Sequence, residues 1–127
     1  MEKKEKYMLE FEVKSSPKIL FNYLSTASGL EEWFADKVNI ENNGLFSFFW
    51  DGEARKAKIL SKKDNQLVHY QWLDEKDESY FEFEIVQDAI TSDVALLVTD
   101  FSLKSDKAQN QQLWQSQIHD LMHTIGS

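Results

Sequence analysis

Two histidines near the carboxyl end have the spacing of a metal-binding pair. His119 and His123 are four residues apart in a segment that reads as helix. Around that helix they lie well away from the apolar positions, so we expect both to face solvent. The chain has no cysteine, and a third ligand would have to come from elsewhere. We therefore predict no metal site.

Arg55 and Asp100 are the charged residues that the pattern places inside the protein. Arg55 shares the alternating phase of Ala57 and Ile59, and Asp100 shares that of Val98. A charge on the inward face of a sheet must be paired or hydrated. Three alternatives follow: the two residues pair with each other, they lie exposed at strand ends, or they line a polar end of a cavity.

Other chemistry has little support in the sequence. No serine is framed by a nucleophile-elbow motif, and four glycines could hardly supply a phosphate-binding loop. On inward phases, only Arg55, Asp100 and Tyr70 could serve acid–base catalysis. We predict no catalytic residue and no cofactor.

Composition limits the classes of partner. The 127 residues carry a net charge of −8, which argues against nucleic acids and anionic membranes. Only "RKAKILSKK" (55–63) is locally basic, and we interpret it as the solvated face of a strand. No apolar run approaches the ~18 residues of a membrane span. The absence of cysteine, and a charged start unlike a signal peptide, predict a cytoplasmic protein.

The first elements are a strand and two short helices. Tyr7, Leu9, Phe11 and Val13 alternate with acids, which predicts a strand over 6–13. A serine before Pro17 predicts a helix start. In "SGLEEWF", Ser28 and Glu31 have the spacing of a capping box. Leu30, Trp33 and Phe34 then share one face, so the Trp–Phe pair is predicted to face inward from this second helix.

The rest of the chain predicts an antiparallel meander followed by a long helix. Strands are expected at 44–52, 53–60, 67–73, 80–86 and 94–103, with turns at "KKDNQ" and "DEKDE". Ser105 or Asp106 is expected to cap the final helix. Its apolar stripe needs a sheet to cover and consists of Trp114, Ile118, Leu121 and Ile125. We expect one α+β domain over residues 1–127.

This arrangement resembles the START-like, or SRPBCC, superfamily. "SPKILFNYLSTASGLEEWFA" is similar to the opening of the family, "GLFSFFWDG", "ARKAKIL" and "QLVHYQW" to its central strands, and "LWQSQIHDLMHTI" to its final helix. Within the superfamily the chain most resembles bacterial proteins similar to activators of the heat-shock chaperone ATPase. The resemblance implies a helix-grip fold. In it, a strongly curved antiparallel sheet of about six or seven strands is crossed by the long carboxyl-terminal helix, and two short helices follow the first strand.

The resemblance also implies an apolar cavity between the sheet and the long helix. Trp33 and Phe34 would lie at its rim, or alternatively plug the core. The other rings either fill the interior or line a hole. The candidate lining residues are Trp33, Phe34, Phe46, Phe48, Trp50, Arg55, Tyr70, Trp72, Phe81, Phe83, Asp100, Trp114 and Ile118.

Three functions are compatible with this family. The leading hypothesis is non-catalytic binding of a small hydrophobic molecule. The alternatives are an enzyme similar to polyketide cyclases, and a protein-interaction module like the chaperone activators. The last would need an exposed apolar patch, such as an outward-facing Trp50 or Trp72. A homodimer and a chaperone partner stay open.

Overall fold

The computed structural model describes residues 3–74, 76 and 78–126. The predicted turn "DEKDE" therefore lies partly outside the described residues, as do Met1, Glu2 and Ser127 at the two ends. Two single-turn 3₁₀ helices occur at Asn42–Gly44 and Lys104–Asp106. The longer elements are β1 Glu5–Val13, α1 Pro17–Ser25, α2 Ala27–Glu31, β2 Lys37–Glu41, β3 Leu45–Trp50, β4 Glu53–Lys63, β5 Leu67–Trp72, β6 Tyr80–Gln87, β7 Val94–Ser102 and α3 Lys107–Thr124.

The seven strands form one curved antiparallel sheet in the order β1-β7-β6-β5-β4-β3-β2. Strands β2 to β7 follow one another along the sheet, which confirms the predicted meander. β1 then pairs with β7 along its whole length, so the first and last strands lie side by side. The register of β4 against β5 shifts between Ile59 and Ser61. Leu60 falls at this shift and is exposed.

The start of α1 agrees with the sequence. The Ser16 hydroxyl accepts a hydrogen bond from the Ile19 N–H at 3.2 Å, and Pro17 occupies the first helical turn. Proline costs nothing there because its missing N–H would have no helical partner. Leu20, Phe21 and Leu24 are buried on the side of α1 that faces the sheet.

The start of α2 does not agree, and the predicted capping box of Ser28 and Glu31 is wrong. Thr26 is the N-cap: its hydroxyl accepts from the Gly29 N–H at 3.0 Å and donates to the Asn22 carbonyl at 2.8 Å. Glycine at 29 permits this approach, because a Cβ there would lie 2.4 Å from the Asn22 oxygen. The Glu31 carboxylate accepts from the Val38 N–H at 3.0 Å and so ties α2 to β2.

Trp33 and Phe34 consequently lie in the turn after α2 and not in the helix itself. Both are nonetheless buried, as the pattern predicted. The Phe34 N–H donates to the Leu30 carbonyl at 2.8 Å, which holds the turn against the end of α2.

The long helix α3 confirms the predicted stripe. Trp114, Ile118 and Leu121 are buried, Ile125 is half-buried just beyond the helix, and both histidines of the spaced pair are exposed. Its first turns, residues 107–113, contain no buried side chain. Asp106 occupies the N-cap position, but within the described residues its side chain makes no capping hydrogen bond.

None of the helices described is both long enough and apolar enough to cross a membrane.

Aromatic rings dominate the space between the sheet and the helices. Tyr70 stacks on Phe81 with ring centroids 4.7 Å apart, and its hydroxyl donates to the Leu24 carbonyl at 2.7 Å. This bond joins the sheet to α1. The fully buried aromatic side chains are Phe46, Phe48, Tyr70, Phe81 and Phe83.

Candidate ligand pocket

A pocket of about 470 Å³ opens at one end of the curved sheet, beneath the first half of α3. The end of β3, the start of β4, the end of β5, the start of β6 and the end of β7 all contribute to it. The helix α3 contributes Trp114, the first residue of the buried stripe, and residues that neighbour Trp114. The lining residues are Lys4, Phe34, Trp50, Arg55, Trp72, Ser79, Phe81, Asp100, Phe101, Ser102, Leu103, Asp106, Asn110, Leu113, Trp114 and Gln117.

Aromatic rings build the apolar walls, and Phe34 lies at their centre. It stacks on Phe81 and Trp114, with ring centroids 5.3 and 5.9 Å away, and meets Trp50 edge-on at 5.4 Å. Trp72 contacts Phe81 at 4.8 Å. Each ring contacts its neighbours, so the rings hold one another in place.

Hydrogen bonds from side-chain N–H groups hold these aromatic walls together. The Phe34 carbonyl accepts from Trp50 Nε1 at 2.8 Å and from Gln117 Nε2 at 3.2 Å. The turn after α2 is thereby joined to both β3 and α3. Trp33, by contrast, donates its indole N–H to the Tyr23 carbonyl at 2.8 Å, on the side of α1. Trp33 thus anchors the short helices, whereas Phe34 faces the pocket.

Asp100 supplies a carboxylate to the pocket wall. It accepts from Trp114 Nε1 at 2.7 Å and from the Tyr7 hydroxyl at 3.2 Å. Burial raises the pKa of Asp100, while the hydrogen bonds that it accepts and the positive charge of Arg55 oppose the rise. Burial and the neighbouring carboxylate together raise the pKa of Tyr7. The same carboxylate therefore links β1, β7 and α3.

Arg55 lies on the pocket wall with a partner of its own. Its Nε and Nη2 donate to the Asp74 carboxylate at 2.8 and 3.2 Å, and its guanidinium lies 3.8 Å from the centroid of the Trp72 ring. The hydrogen bonds from Arg55 lower the pKa of Asp74. Arg55 and Asp100 thus line one pocket, and within the part of the chain that the structure describes they form no direct pair.

The pocket brings together only part of the predicted set. Phe34, Trp50, Arg55, Trp72, Phe81, Asp100 and Trp114 line it. The remaining candidates are buried in the packed interior: Trp33, Phe46, Phe48, Tyr70, Phe83 and Ile118. The rings of Phe83 and Trp114, 5.9 Å apart, close the space between the middle of the sheet and α3. Trp33 borders a second, open groove of about 710 Å³ on the far side of Phe34.

A START-like superfamily domain model matches residues 1–127 of the chain. The chain belongs to the START-like superfamily. Members of this family bind hydrophobic ligands or are similar to polyketide cyclases. No match was found among curated proteins.

Solved structures agree with this assignment. A protein from Bacteroides fragilis is 36% identical, with a TM-score of 0.69 over 98% of this chain and 93% of that one. The Aha1 dimer from Colwellia psychrerythraea is 16% identical, with a TM-score of 0.77 over 93% of each chain. CalU16 from Micromonospora echinospora is 11% identical, with a TM-score of 0.74 over 96% of this chain and 74% of that one. The last two likenesses show the fold alone.

Sequence reasoning missed several lining residues of this START-like chain. Asn110 and Gln117 lie four and three residues from Trp114, and Leu113 lies three and four residues from those two, so all of them share one side of α3. That spacing could have identified them. Lys4, Ser79 and Phe101 lie at or beside strand ends, and only the three-dimensional arrangement of the strands brings them to the pocket.

Proposed function

We propose that this START-like protein binds a small, largely apolar molecule in the pocket at the end of its sheet, and does not transform it. The observation that carries the proposal is a preformed, aromatic-walled space of about 470 Å³. Ligand pockets typically measure roughly 300–1,000 Å³ and combine apolar walls with a few polar groups. This pocket has both features, since Arg55 and Asp100 interrupt its aromatic lining.

The bonding of the polar groups favours binding over catalysis. Asp100 already accepts from Tyr7 and Trp114, and Arg55 is bonded to Asp74. The hydrogen bonds that Asp100 accepts stabilise its charged form and so oppose its action as a general base. The enzyme alternative therefore has less support than a carrier or receptor.

The two tryptophans on which the interaction-module alternative was based do not give it support. Trp50 and Trp72 line the pocket and do not form an outward apolar patch. Trp72 is buried, and Trp50 is half-buried with its indole N–H bonded to the Phe34 carbonyl.

A neutral fluorescent probe, N-phenyl-1-naphthylamine, tests the proposal. Native protein should bind it, and Leu113→Glu, at the pocket mouth, should weaken binding about tenfold, because a charge replaces apolar contact area. Leu60→Glu is the matched control: Leu60 and Leu113 are 59% and 58% exposed, and Leu60 lies outside the pocket. The control should bind like wild type. If the native wild type does not bind, or both variants weaken binding equally, the proposal is wrong.

A further inference from the structure

In its ionised form, the Asp100 carboxylate offers the pocket an acceptor and no donor. All of its hydrogen-bond partners are donors: the Tyr7 hydroxyl, Trp114 Nε1 and the backbone N–H of Phe101. An ionised carboxylate has about four lone-pair sites, so one is left for a further donor. Asp100 is half-buried and lines the pocket, which makes that site available to a bound molecule. A ligand group that meets Asp100 must therefore be a hydrogen-bond donor.

The charges of the wall favour a donor without a charge. Among the described residues, the charged side chains of the lining are Lys4, Arg55, Asp100 and Asp106, two cations and two anions. A cationic ligand would meet the positive charge of Arg55, which already acts on Asp100. An anionic ligand would have to compete with Asp74 for Arg55 and would lie beside the Asp100 carboxylate. Neither charge is well accommodated.

The walls favour a planar ring. Trp50, Trp72 and Trp114 present indole rings to the pocket, together with Phe34 and Phe81. Aromatic rings prefer stacked or edge-to-face contact with other rings, and rigid walls lose little entropy on binding.

We propose that the pocket recognises neutral hydroxyaromatic molecules, whose ring contacts the indoles of the wall and whose hydroxyl donates to Asp100. This inference rests on the proposed function, because it names the class of molecule that the pocket takes.

Four naphthalenes of nearly equal size test it: 2-naphthol, 2-methoxynaphthalene, 2-naphthoate and the cation 2-naphthylmethylammonium. Their affinities for the full chain are measured at neutral pH by calorimetry or by displacement of N-phenyl-1-naphthylamine. We expect 2-naphthol to bind about tenfold more tightly than 2-methoxynaphthalene, which differs in lacking the donor. Both charged compounds should bind more weakly than 2-naphthol.

Asp100→Asn assigns the preference to this carboxylate. The amide oxygen can still accept from Trp114, and a melt shows that the variant is folded. The advantage of 2-naphthol over 2-methoxynaphthalene should fall severalfold, and binding of 2-naphthoate should strengthen. Asp64→Asn removes the same charge from an exposed turn outside the pocket and should change nothing.

The outcomes separate the two proposals. Equal binding of 2-naphthol and 2-methoxynaphthalene would overturn the inference and leave the proposed function standing. So would tighter binding of either charged compound, or an unchanged 2-naphthol preference in Asp100→Asn. Failure of the naphthalenes and of N-phenyl-1-naphthylamine alike would overturn both.

Discussion

Asp100 makes structural hydrogen bonds and is also the acceptor that we propose for the ligand hydroxyl. It bonds Tyr7 of β1 and Trp114 of α3 from its place on β7, so it joins the sheet edge to the long helix. Burial makes the charged form of this carboxyl unfavourable, and the bonds from Trp114 and Tyr7 only partly offset that cost.

The raised pKa of Asp100 should make the folded protein less stable as the pH rises. Because burial raises the pKa of Asp100 above that of the unfolded chain, the folded protein takes up its proton at higher pH. This contribution to the free energy of unfolding is therefore fully present below the unfolded pKa, about 3.9. It is lost as the pH rises through the folded pKa.

Urea melts of wild type and Asp100→Asn across a pH series measure this contribution. The stability of wild type relative to the variant should decrease as the pH rises through that window. The opposite trend would mean that hydrogen bonding to the carboxylate outweighs its burial.

The sequence predicted that the side chains of Arg55 and Asp100 face inward, but it did not predict their hydrogen-bond partners. Alternation along β4 and β7 predicts that both face inward, because side-chain direction has a strict period of two, and both line the pocket. The Arg55 partner, Asp74, lies in the segment after β5, and the conformation of such a segment follows from no periodic pattern.

At the scale of elements, α2 shows how a local signal can be misread. Thr26 and Ser28 are both hydroxyl residues before a short apolar run, and each could cap a helix. What decides between them is the contact of Gly29 with α1, where a Cβ would lie 2.6 Å from the Tyr23 Cα. A tertiary contact of this kind cannot be seen in the local pattern.

Two alanine variants distinguish the caps. Thr26→Ala should reduce the free energy of unfolding by about 1 kcal/mol, because the Gly29 N–H and the Asn22 carbonyl both lose their partner. Ser28→Ala should change it by less than about 0.5 kcal/mol, since Ser28 is exposed within the helix and alanine favours helix. Equal losses in denaturant melts, or a larger loss for Ser28→Ala, would contradict the observed cap.

The longer elements lie close to where the sequence predicted them. β6 and β7 begin where expected, at Tyr80 and Val94, because alternation over eight or nine residues outweighs any local ambiguity. The stripe of α3 was also right, since three of its members are buried. The first turns of α3 carry polar residues over the pocket, and a stripe defined by apolar residues alone could not assign them a role.

At the scale of the whole molecule, the sequence indicated a curved sheet gripping a helix but not where its empty space lies. The volume of a pocket is a small difference between the space that the backbone encloses and the side chains that fill it. Phe34, Phe83 and Trp114 fill the middle of the enclosed space, with ring centroids 5.9 to 6.2 Å apart. The space that remains lies at the end of the sheet, and only the packed structure locates it.

The four tryptophans provide the most direct test of the pocket as a binding site. Trp50, Trp72 and Trp114 line it, and Trp33 does not. Each contributes one indole N–H signal to a two-dimensional proton–nitrogen NMR spectrum, assigned by single Trp→Phe variants. Titration with N-phenyl-1-naphthylamine should shift the signals of Trp50, Trp72 and Trp114 in a saturable way and leave that of Trp33 nearly in place. A spectrum that does not change, or one in which Trp33 shifts most, would contradict binding in this pocket.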